Sequence, residues 1–312
     1  MRLVVALGGN ALLRRGEAPT IEHQRAHVAE AAGRLAAVVA GNEVVVTHGN
    51  GPQVGLLALE AAAYADVPDY PLDVLGAESQ GMVGYLVEQG LRRCLPASVP
   101  VVTVLTTVEV AADDPAFATP TKPIGPGYPE AEARRLADDR GWTFAPDGSS
   151  WRRVVASPAP HRIVEEDAVR ALLERGSVVV CAGGGGVPVV ADASCRPVGV
   201  EAVVDKDHAS SLLARDLGAD LLVLATDVSA VCAGFGRPGE RAVVAAHPDA
   251  LLAELGSSLP AGSMGPKVAA AAAFASATGR PAVIGALADI EALVSGRAGT
   301  RIAVDVAGVV LG

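Results

Sequence analysis

Short apolar segments alternate with longer helical patterns along this chain, and no other feature constrains its fold as strongly. The apolar segments predict strands at residues 4–7, 43–47, 99–105, 177–181, 221–225 and 282–284. The helical patterns predict helices at residues 21–39, 54–65, 75–94, 165–174, 206–217 and 266–278. Thr20 is a predicted N-cap of the first helix and Gly41 its stop. Such alternation predicts an α/β fold, with a mainly parallel sheet between helices and ligands at the carboxyl ends of the strands.

Residues 113–160 interrupt this alternation. The segment is rich in Pro, Gly and Asp, and only residues 142–145 and 151–156 have a strand-like pattern. A stretch of this length without strong helices is typical of a lid, a small subdomain or disorder. Because the segment carries Lys122, we predict a small protruding subdomain that reaches over a binding site.

The composition argues against several classes of protein. The 312-residue chain has a net charge of −10, so we expect no nucleic-acid partner. Its four cysteines form no C-x-x-C pair and have no accompanying His cluster, so neither a disulfide framework nor a metal site is predicted. The apolar N-terminal run is too short for a secretory signal, and no stretch of ~18 strongly apolar residues follows. We therefore expect a cytoplasmic protein without a membrane partner.

The basic residues are divided unevenly, with 22 Arg and only three Lys. Lys122 lies in a Pro-rich segment that predicts a stiff loop, and Lys206 lies between two aspartates at a predicted helix start. Lys267 ends the GSMGPK loop, at the start of an Ala-rich helix. None of the three is on an ordinary solvated helix face, although chance could account for three positions. Lysine is a compact point charge whereas arginine is a broad planar fork. The three lysines are therefore candidates for a site that arginine does not fit.

Four loops are rich in glycine: Gly8-Gly9-Asn10, His48 to Pro52 and Gly183 to Gly186 follow predicted strands, and Gly262 to Lys267 opens the Ala-rich helix. Glycine lets the backbone approach a ligand and direct several N–H groups at one phosphate, and a helix N-terminus adds partial positive charge. Ordinary tight turns are the alternative for any single loop. The set of four indicates phosphate binding.

The spacing Gly49-x-Gly51-x-x-x-Gly55 resembles a dinucleotide fingerprint but departs from G-x-G-x-x-G, and Pro52 interrupts it. A Walker A loop is absent from the sequence. Phosphoryl transfer needs positioned positive charge rather than a catalytic triad, and it fits the three lysines. Asp207 is then a candidate to orient the lysines, while N-capping remains open for both Asp205 and Asp207.

Nine segments in the same order closely resemble the carbamate kinases, a family of the amino-acid kinase superfamily. They are ALGGNAL from Ala6, THGNGPQVG from Thr47, SQGMVGY from Ser79, PTKPIGP from Pro120, GGGGVPV from Gly183, DKD from Asp205, TDV from Thr226, GSMGPK from Gly262 and AGTRI from Ala298. Together they span almost the whole chain. The resemblance implies a single domain over residues 1–312, built as an open three-layer αβα sandwich, and a homodimer.

The resemblance also implies roles for individual residues. A carbamate and phosphoryl half, about residues 1–200, would bind substrate through Gly8, Gly9, Asn10, Gly49, Asn50, Gly51, Gly184 and Gly185. The catalytic group would be Lys122, Lys206 and Lys267 around the phosphoryl, organised by Asp207. A nucleotide half, about residues 201–312, would bind ATP or ADP through Lys206, Lys267, Thr226, Asp227, Val228 and Met264, with Mg²⁺ bridging the nucleotide phosphates. From the residues alone, 226–228 could equally form a turn, and Met264 could simply pack.

The activity implied is reversible transfer between carbamoyl phosphate plus ADP and carbamate plus ATP, used for ATP formation in arginine catabolism. Sister kinases typically carry a lysine two residues before the first glycine pair, where this chain has Ala6. Lys122 is expected to supply that charge instead. The alternatives are a sibling kinase acting on an amino-acid carboxylate or a nucleoside monophosphate, a nicotinamide oxidoreductase, and a scaffold without catalytic activity.

Overall fold

The computed structural model describes residues 1–9, 12–13, 17–18, 20–64, 66, 68–259 and 264–312. Its helices are α1 (Ile21–Val39), α2 (Gly51–Ala63), α3 (Leu72–Cys94), α4 (Glu130–Arg140), α5 (Glu166–Glu174), α6 (Lys206–Asp216), α7 (Pro248–Leu255), α8 (Met264–Thr278) and α9 (Ile290–Val294). Its strands are β1 (Arg2–Leu7), β2 (Glu43–His48), β3 (Val101–Thr103), β4 (Thr107–Val110), β5 (Lys122–Tyr128), β6 (Thr143–Asp147), β7 (Ser150–Val155), β8 (Pro160–Ile163), β9 (Val178–Val180), β10 (Val187–Ala191), β11 (Pro197–Gly199), β12 (Leu221–Thr226), β13 (Cys232–Ala233), β14 (Arg241–Ala246), β15 (Ala282–Ala286), β16 (Thr300–Ile302) and β17 (Val309–Leu311).

A large sheet forms the centre of the described part of the chain. Its strand order is β13-β14-β16-β15-β12-β1-β2-β9-β3, and β17 pairs with β14. The run from β15 through β12, β1, β2 and β9 to β3 is parallel throughout. All six predicted strands lie in this sheet, with their ends shifted by a few residues. The α/β fold with a mainly parallel sheet is confirmed.

Helices cover both faces of the sheet because the central strands are apolar on both sides. On β1, Val4 and Ala6 belong to one buried cluster, which includes residues of α5, α6, α7 and α8. Leu3, Val5 and Leu7 belong to a second cluster, which includes residues of α1, α3 and α9. The sheet and its helices therefore form three layers.

The predicted helix ends have identifiable caps. The Thr20 side chain accepts a hydrogen bond from the backbone N–H of His23, as expected of an N-cap. Helix α1 ends at Val39, and Gly41 follows with a φ of 76°. Asp205 caps α6, since its carboxylate accepts from the backbone N–H groups of Asp207 and His208. Capping is thus confirmed for Asp205, whereas Asp207 lies inside the first turn.

The segment 113–160 contains a small antiparallel sheet, with strand order β5-β7-β6, and α4. The prediction that it lacks a strong helix is wrong. Helix α4 buries only Ala133 and has no apolar stripe, so periodicity does not reveal it. The i,i+4 ion pairs Arg134–Glu130 and Arg135–Asp139 support it instead. The stiff loop predicted around Lys122 is also wrong, because Lys122 begins β5 and pairs with Val155 of β7.

The rest of the fold, that is the large sheet with the helices around it, is called the large domain below. The small sheet packs on this domain through an apolar cluster. The cluster consists of Val54 and Ala58 of α2, Leu72 and Leu75 of α3, Ile124 of β5, Val155 of β7, and Val203. Backbone bonding continues this contact, since the N–H of Val203 donates to the carbonyl of Ala156 over 2.9 Å. A further four-stranded sheet has the order β11-β10-β4-β8. None of the helices in the described ranges is long and apolar enough to cross a membrane.

Candidate active site

The site lies where β1, β2 and β12 end at one edge of the sheet. The N–H of Gly8 donates to the carbonyl of Ala225 over 3.0 Å, and the N–H of Gly49 donates to the carbonyl of Leu7 over 3.3 Å. A Cβ built on Gly49 would lie 3.4 Å from Cδ of Lys206 and 3.7 Å from the backbone N of Gly9. The first two glycine loops therefore meet beside Lys206, at the edge where parallel sheets bind ligands. Asn10, predicted to bind substrate, lies outside the described residues.

Lys206 and Lys267 share one carboxylate. The Lys206 ammonium donates to Oδ1 of Asp207, and the Lys267 Nζ lies 2.9 Å from Oδ2. Lys206 and Asp207 open α6, and Lys267 lies in the first turn of α8. Asp207 is 3% exposed and Lys267 8% exposed, so this group is sheltered from solvent. The structure thus brings together three of the four predicted catalytic residues around the carboxylate of Asp207.

Lys122 reaches the same place from the small sheet but has a different partner. Its ammonium donates to Oδ2 of Asp205, the residue that caps α6. The other oxygen of Asp205, Oδ1, accepts from the N–H of Asp207 over 2.8 Å. Three ammonium groups and two carboxylates therefore form one connected cluster with a net positive charge. The interpretation that Asp207 alone organises the lysines missed Asp205, for which capping was the competing explanation.

The pKa values in the cluster are set by burial and by the opposite charges. Burial lowers the pKa of Lys206 to about 8, although Asp207 opposes the shift. For Lys267, burial also disfavours the charged form, but Asp207 outweighs it and the pKa is raised. Burial would raise the pKa of Asp205 and Asp207, yet the neighbouring lysines hold both below the usual carboxyl value. Both carboxylates are therefore ionised at neutral pH, as partners of the lysines should be.

The loop Gly183–Gly185 fits the site only as glycine. A Cβ on Gly183 would come within 2.4 Å of the His48 ring, and one on Gly184 within 2.1 Å of the Asn50 side chain. A Cβ on Gly185 would come within 2.4 Å of the Val204 carbonyl oxygen. This loop is therefore packed directly against the loop after β2 and the chain leading into α6. Gly184 and Gly185, both predicted to bind substrate, lie at this junction.

His48 ends β2 beneath the loops and is 1% exposed. Its Nδ1 lies 3.0 Å from the carbonyl oxygen of Gly49, and its Nε2 is buried without a hydrogen-bond partner. Burial lowers the pKa of His48 to about 4, and the nearby Lys206 adds to this effect. The imidazole is therefore neutral at pH 7, with Nδ1 as the donor. It supports the Gly49 loop without adding charge to the lysine cluster.

Two polar residues of α3, Ser79 and Gln80, hold the loops, although no role for them was predicted from the sequence. Asn50 donates from Nδ2 to the Ser79 hydroxyl over 2.8 Å. Gln80 donates to the Thr106 carbonyl and accepts from the Thr106 N–H, over 3.1 and 2.7 Å. Ser79 and Gln80 are both buried. Adjacent polar residues on the buried face of a long helix are the signal that could have identified them.

The residues predicted for the nucleotide are more dispersed. Thr226 ends β12 against Gly8, and its hydroxyl donates to Asp227 over 3.1 Å. Asp227 is exposed and Val228 half-buried. Met264 packs on the apolar cluster beneath α8, so its structure supports a packing role. Gly262 and Ser263 lie outside the described residues. Within the described ranges, no group of three or more His, Cys, Asp or Glu side chains could hold a metal ion.

Comparison with known proteins identifies the family to which the chain belongs. The profile of the Amino acid kinase family matches residues 1–286. A carbamate kinase of Haemophilus influenzae is 55% identical over 97% of this chain and 96% of its own length. One from Escherichia coli K12 is 50% identical over 96% of this chain and 98% of its own length. Carbamate kinase from Giardia lamblia bound to AMP-PNP is 40% identical, with a TM-score of 0.87 over 97% of this chain and 98% of that one.

The chain therefore belongs to the amino acid kinase family and, within it, is an enzyme of the carbamate kinase family.

Proposed function

We propose that this enzyme catalyses reversible phosphoryl transfer between carbamoyl phosphate plus ADP and carbamate plus ATP. The observation that carries the proposal is the cluster of Lys122, Lys206 and Lys267 on two buried aspartates, beside the glycine loops of β1 and β2. Its net positive charge suits a group whose negative charge is spread over three phosphoryl oxygens. The carbamate kinases that match nearly the whole chain supply the choice of substrate.

In the proposed reaction, a β-phosphate oxygen of ADP attacks the phosphorus of carbamoyl phosphate. The new P–O bond of ATP forms as the P–O bond to carbamate breaks, and carbamate leaves with the bonding electron pair. No proton has to move, so a general base is unnecessary. Lys206 and Lys267 would stabilise the phosphoryl oxygens throughout transfer, while Asp207 keeps the two ammonium groups charged and in place. Lys122 would neutralise the charge that develops on the carbamate side.

The remaining residues would bind and orient the two substrates. N–H groups of Gly8, Gly9, Gly49 and Gly51, with the Asn50 amide, would contact carbamoyl phosphate, and Asn10, Gly184 and Gly185 complete the proposed set. Thr226, Asp227, Val228 and Met264 would lie along the nucleotide, in a half of the chain from about residue 201. Mg²⁺ would arrive with the nucleotide and neutralise its phosphates. The first half, to about residue 200, would hold carbamate, with residues 113–160 protruding over it.

The physiological setting is also part of the proposal. The enzyme would form ATP during arginine and carbamoyl phosphate breakdown in the cytoplasm, as a homodimer. Ala6, where sister kinases typically carry a lysine, supports carbamate over a sibling substrate. At that position the chain has no charge on β1, and Lys122 reaches the site from the small sheet instead.

ATP formation from ADP and carbamoyl phosphate with Mg²⁺ tests the proposal. ATP itself must be measured, because carbamoyl phosphate decomposes and releases phosphate without an enzyme. We expect steady ATP formation by the purified protein and its loss in Lys206→Ala. Gly33→Ala, in an open position on α1, is the matched control. No ATP above the Lys206→Ala background, with transfer to an amino-acid carboxylate or a nucleoside monophosphate instead, would replace carbamate by a sibling substrate.

A further inference from the structure

Helix α2 and strand β5 approach each other through two glycines. A Cβ built on Gly55 would come within 2.0 Å of the Cα and 2.3 Å of the N of Gly125. The obstructing atoms belong to the backbone of β5, so no side-chain rotation could relieve the clash. Any residue larger than glycine at position 55 must therefore push β5 away from α2. This contact accounts for Gly55, the last glycine of the spacing that resembles a dinucleotide fingerprint.

The strand is shaped to make this contact. The pairing of β5 with β7 is irregular between Ile124 and Tyr128, and Gly125 there has a φ of 69°, a conformation that disfavours side chains. The Arg152 guanidinium of β7 donates to the Gly125 carbonyl over 2.9 Å. Ile124, the preceding residue, is buried against Val54 of α2 in the apolar cluster described above. Backbone, hydrogen bond and apolar contact thus hold the strand at one place.

The contact lies between the two parts of the site. Lys122 begins β5 three residues before Gly125, a span of roughly 10 Å along an extended strand. Helix α2 begins at Gly51, in the loop after β2, and Gly55 lies one helical turn further on. The contact between Gly55 and Gly125 is therefore connected to the glycine loop through the first turn of α2, and to Lys122 through the start of β5.

We propose that the Gly55–Gly125 contact is the seat that places Lys122 over the site, so that Gly55 is a positioning residue for phosphoryl transfer. The inference rests on the proposed function, since it concerns the same lysine. It adds a residue that contacts no substrate and acts through Lys122. Moving β5 outward would lengthen the reach that Lys122 needs and leave Lys206 and Lys267 untouched.

A double-mutant cycle tests this role in the full-length protein. The variants are Gly55→Ala, Lys122→Ala and the double variant, with Gly33→Ala as a control because its added methyl meets only open space. We expect Gly55→Ala to lower kcat for ATP formation about tenfold or more. In the Lys122→Ala background the same change should lower kcat by less than about threefold, because the lysine it positions is already gone. A merely structural role would make the two losses multiply, which would overturn the proposal.

Hydrogen–deuterium exchange supplies a readout that does not depend on activity. We expect faster exchange in residues 122–128 of Gly55→Ala than of Gly33→Ala, with exchange in α6 unchanged. Unchanged exchange in residues 122–128 would overturn the proposal that the Gly55–Gly125 contact holds β5 in place, even if the wild-type protein forms ATP and the proposed function stands. A wild-type protein that forms no ATP would instead overturn the proposed function, and the catalytic role of the seat with it.

Gly125→Ala keeps the proposal testable if Gly55→Ala fails to fold. A Cβ on Gly125 would lie 3.4 Å from the Cα of Gly55, a milder contact, although the φ of 69° remains unfavourable for alanine. We expect the same dependence on Lys122 in this variant. A loss of kcat that is equally large with and without Lys122 would overturn the positioning role.

Discussion

The two sources of positive charge in the site differ in how they are held. Lys206 and Lys267 come from helices of the large domain, share Asp207, and have side chains 11% exposed. Lys122 comes from the small sheet, pairs with Asp205 and is 28% exposed. Its partner lies 83 residues away in sequence, at the start of α6 and outside the small sheet. The large domain therefore fixes one pair of charges, whereas the third depends on how the small sheet is seated.

This difference matters for the energetics of each charge. Asp207 compensates the burial of two ammonium groups, and removing one partner from such a group leaves an uncompensated charge. Lys122 retains more contact with water, and screening by solvent weakens its ion pair. Substitutions of the buried pair should therefore have larger effects than substitution of Lys122.

The largest effect is expected for the buried pair. Lys206→Ala or Lys267→Ala should lower turnover by roughly 10²-fold or more, since each removes a proposed donor to the transferred phosphoryl group. Steady-state ATP formation measures the loss, and circular dichroism checks that each variant is folded. Near-normal turnover in both folded variants would show that the buried pair is structural.

A smaller effect is expected for the third lysine. Lys122→Ala should lower kcat by roughly ten- to a hundredfold, with an increase in KM for carbamoyl phosphate, because it removes the charge proposed to act on the carbamate side. Kinetics at varied carbamoyl phosphate and fixed ADP separate the two parameters. An effect as large as that of Lys206→Ala would contradict the comparison, because Lys122 would then matter as much as the buried pair Lys206 and Lys267.

The same division between regions explains what could be predicted from sequence. Six strands of the large sheet, those from β15 to β3, are largely buried on both faces, so they are continuous apolar runs that the sequence predicts; β13, β14, β16 and β17 are shorter or partly exposed and were not predicted. Strand β5 reads Lys-Pro-Ile-Gly-Pro-Gly-Tyr, a sequence that predicts a loop, because prolines and glycines are rare inside strands. Helix α4 is not predicted because charged residues lie on all of its sides and only Ala133 is buried. Elements that bury only a few apolar residues show little hydrophobic periodicity in the sequence.

The three lysines of the candidate site could be singled out from the sequence, but the arrangement that joins them could not. The rarity of lysine in an Arg-rich chain singled out Lys122, Lys206 and Lys267. The pairing of Lys122 with Asp205 could not be predicted, because it depends on tertiary contacts between distant segments. The contact of Gly55 with Gly125 could not be predicted for the same reason.

The charge state of the buried pair should be visible in the pH profile. Because the pKa of Lys206 is lowered to about 8, the free enzyme should lose this positive charge as pH rises through that value. We expect kcat/KM to fall by about tenfold per pH unit above it. Lys206→Arg should be slower overall but lack this alkaline decline, because arginine stays charged. An identical decline in the arginine variant would assign it to another group.

The smallest effect concerns His48, and it reports on the large domain alone. The pKa of His48 is lowered to about 4 by burial, against 6.5 when exposed, so between these values the unfolded chain binds a proton that the native protein does not. Stability must then fall as pH falls, by about 1 kcal/mol between pH 6.5 and 5.5. Urea unfolding at the two pH values measures this loss, and His48→Asn, which keeps a donor to the Gly49 carbonyl but cannot titrate, is the control. The wild-type protein should lose about 1 kcal/mol more than the variant, because the acid sensitivity of all other groups cancels in the comparison. Equal losses would mean that His48 is protonated in the native state. A charged imidazolium beside Lys206 would contradict the conclusion that His48 supports the Gly49 loop without adding charge to the lysine cluster.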